Sequence, residues 1–469
     1  MSIGHRLHME GFKPGLGTRT NLLLLTNSSR SKLEPIVKNL NSKYGPIITL
    51  SIASHPFIFV ADPSLAHQFL IKSGTVFSDR PTTIGQRSIS SASYVVPPPP
   101  QSSHGDSSSL PREVILVGAK MGASRSYRSS PGGRGKGCQG GGSFSVHHVL
   151  LVGEIAKVQR DMLLIVGSGQ NAVITLFPKL GKILFRKRWN EFEKMLQEKE
   201  RVLSPLIKCR IEASNSVSQL GTKKIVAYVD TLMNLRLLRE EESETTVGNG
   251  GRLTEKEMMV GMCSEFLNAG TDTTSTVLQW IMANLVKHPH IQSLRGSSTT
   301  KSCGTTASAA ATRGAESTIS EEDMQKMAYL KVVVLEGLRR RPPVHFVLPH
   351  RVMKEVEVEG RVIPEDAAVN FYVAEMGWNP KVWDDPTEFK PERFLMNDGF
   401  DISGSKGIKM MPFGAGRRIC PGSDLVVLHL EYFVANLIWV FRWDAVDGYG
   451  VDLSKKPEFT TVMKNPLQT

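Results

Sequence analysis

The sequence is short of paired cysteines, of long hydrophobic runs and of patterned positive charge, and each shortage excludes a class of protein. Its five cysteines, Cys138, Cys209, Cys263, Cys303 and Cys420, are odd in number and widely scattered. Neither a disulfide framework nor a paired zinc-ligand pattern fits them, and a reducing compartment is the simplest reading. No window approaches the ~20 consecutive apolar residues of a membrane-spanning helix. The nearest terminal candidate, Leu22 to Leu25, is far too short, so no anchor or signal peptide is recognisable. Aromatic residues make up only 7% of the chain. Even so, 40% hydrophobic residues over 469 positions suffice for a full core, which excludes wholesale disorder. Basic residues exceed acidic ones by 12, but nine of those charges fall in three poorly patterned segments, 1–31, 95–147 and 292–318. The rest is nearly balanced, which argues against a nucleic-acid partner.

What is present reads as one domain over residues 33–469, after an atypical extension at 1–32. Ile47–Ser51 and Pro56–Val60, rich in branched and aromatic residues, predict two paired strands. Pro63 to Ile71 has helical spacing. At 95–147 the pattern collapses into Pro-, Ser- and Gly-rich text, and it collapses again at 295–316. Each break is either a surface loop or a stretch carried in by a wrong reading frame or altered splice. Elsewhere the text is mostly helical. Thr254-Glu-Lys-Glu257 is a capping box opening a helix that can run to His288, where Pro289 stops it. A further helix is expected over Glu321–Arg341, then short strands within Val352–Val362 and Ala368–Val373. Asp424 to Val440 is almost wholly apolar and is expected to be buried on nearly all sides. The fold class is therefore mainly α with a small β lobe.

The strongest signal is Phe413-Gly-Ala-Gly416-Arg-Arg418-Ile-Cys420-Pro-Gly422. Glycines 414, 416 and 422 let the backbone turn tightly and approach a flat ligand. Cys420 precedes a helix, whose free N–H groups and dipole favour a thiolate. The pattern Phe-x-x-Gly-x-Arg-x-Cys-x-Gly resembles the cysteine-ligand loop of the cytochrome P-450 haem-thiolate monooxygenases. Five fixed identities match a random window at a frequency on the order of 10⁻⁷, so coincidence is not a serious competitor. Whole segments, Phe266–Thr274 and Phe389–Phe394, are similar to the plant microsomal branch, and the likeness covers about 33–94 and 149–469 outside the second break.

The resemblance implies a cytochrome P-450 fold, incomplete around 95–147, and haem b on Cys420. Phe413 would shield the sulfur, and Arg418, with His350 as a further candidate, would meet haem propionates. Glu336, Arg339 and Arg393, in Glu336-Gly-Leu-Arg339 and Pro391-Glu-Arg393-Phe394, resemble the family's structural network behind the haem. In Ala269-Gly270-Thr271-Asp272-Thr273-Thr274, Gly270 would leave room for dioxygen, and Asp272 and Thr273 would relay protons to it. Mid-helix threonines are poor helix formers that bond back to the preceding turn, so their presence asks for a reason. The implied reaction inserts one atom of dioxygen into a small apolar organic substrate. Electrons would come from NADPH through a separate flavoprotein reductase, at the cytosolic face of the endoplasmic reticulum.

Two rivals stand beside this reading. Met162 to Ala172 ends in Gly-x-Gly-x-x-Ala after an apolar run, like a dinucleotide fingerprint, but Glu154–Asp161 before it reads as helix and no βαβ alternation follows. The other is a haem-poor, inactive relative, suggested because 95–147 has no Trp and no helix to grip a propionate.

Overall fold

The computed structural model describes residues 30–52, 55–81, 146–167, 185–217, 228–234, 255–293, 319, 323–324, 327–395, 400–446 and 450–469. In chain order these form helix α1 (Arg30–Tyr44), strands β1 (Ile47–Ile52) and β2 (His55–Val60), and helix α2 (Pro63–His67). Helices α3 (Val146–Gly167), α4 (Arg186–Val217), α5 (Tyr228–Asn234), α6 (Glu255–Lys287), α7 (Pro289–Ser293) and α8 (Ala328–Arg340) follow. Then come β3 (His350–Arg351), β4 (Val356–Val358), β5 (Arg361–Ile363), β6 (Ala368–Phe371), α9 (Val373–Gly377), α10 (Ser423–Val440), β7 (Lys455–Pro457) and β8 (Thr461–Met463). The chain divides into two compact units, Met1–Thr82 with Gly167–Val173 and Asp272–Thr469, and Thr83–Val166 with Ile174–Thr271.

In the first unit β1 and β2 pair antiparallel, from Ile47 opposite Val60 to Ile52 opposite His55. β2 continues parallel to β6, and β6 antiparallel to β3, giving the order β1-β2-β6-β3. Strand residues alternate between faces. Ile58 and Val60 enter a core with Phe69, Phe77, Phe371, Met411 and Ala415, while Phe59 enters another with Val37, Ile48 and Leu50. The first of these cores thus carries the residues that lead into the cysteine loop. Asp62 caps α2, accepting from Leu65 N at 2.9 Å, and Pro63 fits the first helical position. The single helix expected to Ile71 instead widens into a π-helical turn, Gln68–Lys72.

The helical core of this unit is built from Val277, Ile281 and Leu285 of α6, Val333, Val334 and Leu338 of α8, and Leu430, Val434 and Ala435 of α10. Spacings of four, with the adjacent pairs Val333/Val334 and Val434/Ala435, put each set on one helix face. Two expectations need correction. α8 starts at Ala328 rather than Glu321, because Met327 before it is not helical. α10 is not buried all round: Phe433, Trp439 and Val440 are 44%, 38% and 52% exposed. Uniform apolarity gives a helix no preferred face, so the sequence shows that it is greasy but not which side is covered.

In the second unit, Met162 of α3 packs on Phe192 and Met195 of α4, and Leu203 and Ile207 pack on Leu232, Val260 and Cys263. α3 includes Glu154–Asp161, as their sequence suggested, and runs on to Gly167; the rest of the dinucleotide-like stretch, Ser168 to Ala172, lies outside the described residues. So do Thr254 of the capping box, residues 95–145 of the first break, and all of 295–316. α6 itself matches its expected span to within a residue, its last turn ending one residue before His288.

Candidate active site

The loop before α10 is closed by its own backbone. Cys420 N donates to Phe413 O at 2.8 Å, Gly414 N to Met411 O at 3.0 Å, and Ile419 N to Gly416 O at 3.1 Å. Gly414 and Gly416 hold φ of +72° and +69°, conformations that a side chain rarely adopts. At Gly416 there is a second reason: a Cβ would overlap the carbonyl oxygen of Leu70, in the π-helical turn. That close approach docks the loop on the β lobe. Gly422 differs from expectation. Its φ is −91°, which any residue can adopt, and a Cβ would meet Cys420 Sγ at an ordinary 3.9 Å.

Cys420 is partly exposed, and Ser423 begins α10 three residues on. The expected thiolate-favouring helix end is present as the Gly422 N–H, which hydrogen-bonds the sulfur and lowers its pKa. Burial nevertheless pushes the thiol up, and the nearby Asp424 carboxylate adds to the rise. The free thiol is therefore neutral, and a metal binding there would have to displace its proton.

Basic groups converge next to this loop. Arg418 Nε donates to Ser78 O at 2.5 Å, and Arg80 Nη1 donates to Leu348 O at 2.7 Å and Pro349 O at 3.0 Å. Burial, and then the charge of Arg418, bring the Arg80 guanidinium down to about 10, with Asp79 partly offsetting them. Asp79 also serves Arg351, whose Nη1 lies 3.1 Å from its Oδ2. His350 is 4% exposed, with Nδ1 2.7 Å from Phe77 O. Burial first, then Arg80, drive it down to about 4. It is a neutral, polar wall at physiological pH rather than a cation. Two guanidiniums in mutual repulsion suit a ligand carrying two carboxylates. Arg80 escaped the sequence reading because its partners lie 268 and 269 residues away.

Glu336, Arg339 and Arg393 do meet. Arg339 Nε and Nη2 lie 2.7 and 2.8 Å from the two Glu336 oxygens, with both side chains fully buried. Arg393 Nε and Lys390 N donate to Glu336 Oε1 at 3.3 and 2.9 Å. The remaining Arg339 donors reach Gly377 O, Pro386 O and Glu388 O. Its guanidinium lies 5.3 Å from the centre of Trp383, which packs with Phe394 and Met410. Met410 adjoins Met411 of the loop, so the network reaches the cysteine loop through one packed layer.

On α6 the threonines behave as their chemistry dictates. Thr271 Oγ1 donates back to Leu267 O at 2.6 Å. A Cβ on Gly270 would meet nothing within 4 Å, so space exists there. Asp272 is buried, Thr273 is half-buried, and Asp272 Oδ2 accepts from Thr460 Oγ1 at 2.6 Å. Thr460 was not singled out from the sequence; it lies 188 residues away, in a segment without a motif.

The family model for cytochrome P450 matches residues 14–93 and 152–468. The chain belongs to the cytochrome P450 family. The match leaves out 94–151, which contains the first break, and runs through the second. Cytochrome P450 89A9 of Arabidopsis thaliana is 37% identical, over 96% of this chain and 90% of that protein. Cytochrome P450 750A1 of Pinus taeda is 27% identical over 94% and 86%. A zebra fish cytochrome P450 solved with abiraterone has the same fold, with a TM-score of 0.58 at 19% identity, covering 92% of this chain and 97% of that one. As a cytochrome P450 of plant type, the protein is a haem-dependent monooxygenase that acts on an organic substrate with dioxygen and a redox partner. Its cofactor is haem b held through a cysteine. The residues present fit that group: a loop offering one sulfur, beside paired guanidiniums suited to two carboxylates. Among the described residues no cluster of three His, Cys, Asp or Glu could hold a bare metal ion. A metal carried in its own macrocycle needs none. Nothing in these comparisons favours the inactive alternative.

Proposed function

We propose that this cytochrome P450 binds its haem through Cys420, with Arg80 and Arg418 on the propionates and Phe413 and Gly416 shaping the loop. In this reading a separate NADPH-dependent flavoprotein reductase supplies the electrons, and the protein works on small apolar molecules at the cytosolic face of the endoplasmic reticulum. The observation carrying the reading is the closed Phe413–Gly422 loop, which presents Cys420 beside two guanidiniums that repel each other. When bound, the haem supplies the electron transfer and dioxygen activation. The chain's residues do the rest. Glu336, Arg339 and Arg393 keep the loop in place, and His350, neutral because it is buried, would offer the cofactor a polar rather than a charged partner. Asp272 would take up a proton at its carboxylate and Thr273 would hand one on through its hydroxyl.

Removing that hydroxyl tests the relay. Thr273→Ala, assayed with a plant flavoprotein reductase and NADPH, is expected to raise hydrogen peroxide released per product by about tenfold or more. Unchanged coupling would remove Thr273 from the relay. A second measurement tests the propionate reading. Arg80→Ala gives up charge-assisted hydrogen bonds of about 1.5–3 kcal/mol each, so haem transfer to apomyoglobin is expected to speed up by about tenfold or more. An unchanged transfer rate would leave Arg80 as a loop tie only.

A further inference from the structure

We infer that Thr460 is a positioning residue for Asp272, a role that rests on the proton-relay reading above. Thr460 lies in the turn between β7 and β8, is 1% exposed, and donates to Asp272 Oδ2 at 2.6 Å, a length typical of a hydroxyl on a carboxylate. Its own oxygen pairs with Thr276 Oγ1 at 3.3 Å, so two hydroxyls in series end on one carboxylate. Such chains polarise one another in a dry interior.

The turn is fixed from several directions. Trp280 Nε1 donates to Thr461 O at 2.7 Å, and Thr461 N donates to Pro343 O at 2.8 Å, just beyond α8. Asp272, Thr276 and Trp280 are four apart and share one face of α6, so that face is latched onto the hairpin at three successive turns. Thr460 therefore sets the rotamer of Asp272 and holds its carboxylate as a hydrogen-bond acceptor. The hairpin, remote in sequence from the Ala269–Thr274 motif, becomes part of the proton path without touching oxygen itself. Without the hydroxyl, the carboxylate loses its orientation and proton delivery slows.

Two measurements on the full-length protein test this. The first is a urea-unfolding cycle of wild type, Thr460→Val, Asp272→Asn and the double variant. The unfolding constants are expected to be non-additive by about fivefold or more; additivity would overturn the contact. The second is NADPH turnover of the haem-loaded protein with a plant flavoprotein reductase and no added substrate, following peroxide released per NADPH. Thr460→Val is expected to raise that ratio toward its ceiling of one peroxide per NADPH, at the expense of water, and Thr460→Ser, which keeps the hydroxyl, to restore it. A raised ratio that serine fails to restore points to packing and overturns the inference. An unchanged Thr460→Val ratio alongside a raised Asp272→Asn ratio overturns the positioning role alone. An unchanged Asp272→Asn ratio overturns the relay reading instead, and the unfolding cycle still reports on the contact.

Discussion

Cys420→Ala is expected to yield a folded protein that no longer shows the red-shifted band a thiolate gives the reduced carbon-monoxide complex, and that has no monooxygenase activity. The two halves of this expectation separate a ligand from a structural cysteine. Cys420 is partly exposed, and the polar contact that bears on its sulfur is the Gly422 N–H. Trimming such a side chain costs about 1 kcal/mol or less, so the urea midpoint of the haem-free protein is expected to move little. Haem binding is another matter. Partial burial holds the thiol above its ordinary pKa, so the protein alone does not hold a thiolate ready, and a metal binding there would have to displace the proton. Alanine removes the sole thiol in the loop, and the paired guanidiniums would retain haem only loosely. A variant that kept the thiolate band would remove Cys420 as ligand. A variant that failed to fold would show that the loop needs the side chain for packing.

Local signals carried far in this chain, and distant ones did not. The β1–β2 pair was legible because branched and aromatic residues crowd two short runs, and α6 because a capping box and a proline bracket it. The cysteine loop was legible because its glycines and its sulfur lie within ten residues. Arg80 and Thr460 were not, since each gains its meaning from groups far along the chain, Leu348 and Pro349 for one and Asp272 for the other. His350 was read as a candidate propionate partner, and its burial, a tertiary property, is what makes it a neutral one. Gly422 was read as conformationally required, but its backbone is ordinary, because the turn is completed at Gly414 and Gly416 before it arrives. The exposed flank of α10 was invisible because Leu, Val and Phe surround the helix and the pattern has no direction. The early start assigned to α8 failed because Met327 breaks a run whose composition suits a helix throughout.

Glu336→Ala is expected to lower stability by about 3–5 kcal/mol, the usual consequence of leaving one partner of a buried ion pair unpaired. Arg339 would then be a buried cation, 1% exposed, with only backbone carbonyls left among its hydrogen-bond partners. Arg393 Nε and Lys390 N would lose their acceptor as well, which loosens the segment 384–393 that Arg393 also ties through Asp384 O. The loss would spread through Trp383 and Met410 to the cysteine loop, so haem content should fall with the urea midpoint. Arg339→Lys is the sharper experiment, because it keeps the charge. Arg339 makes six hydrogen bonds from three nitrogens, two to Glu336 and four to backbone carbonyls. Lysine offers one nitrogen on a flexible stem, so it can keep the ion pair or the carbonyls but not both. Buried carbonyls left without donors cost about 1–3 kcal/mol each. Arg339→Lys should therefore be destabilised nearly as much as Glu336→Ala. A lysine variant with wild-type stability would mean that charge alone holds the network, and that the planar fork and its backbone contacts contribute little.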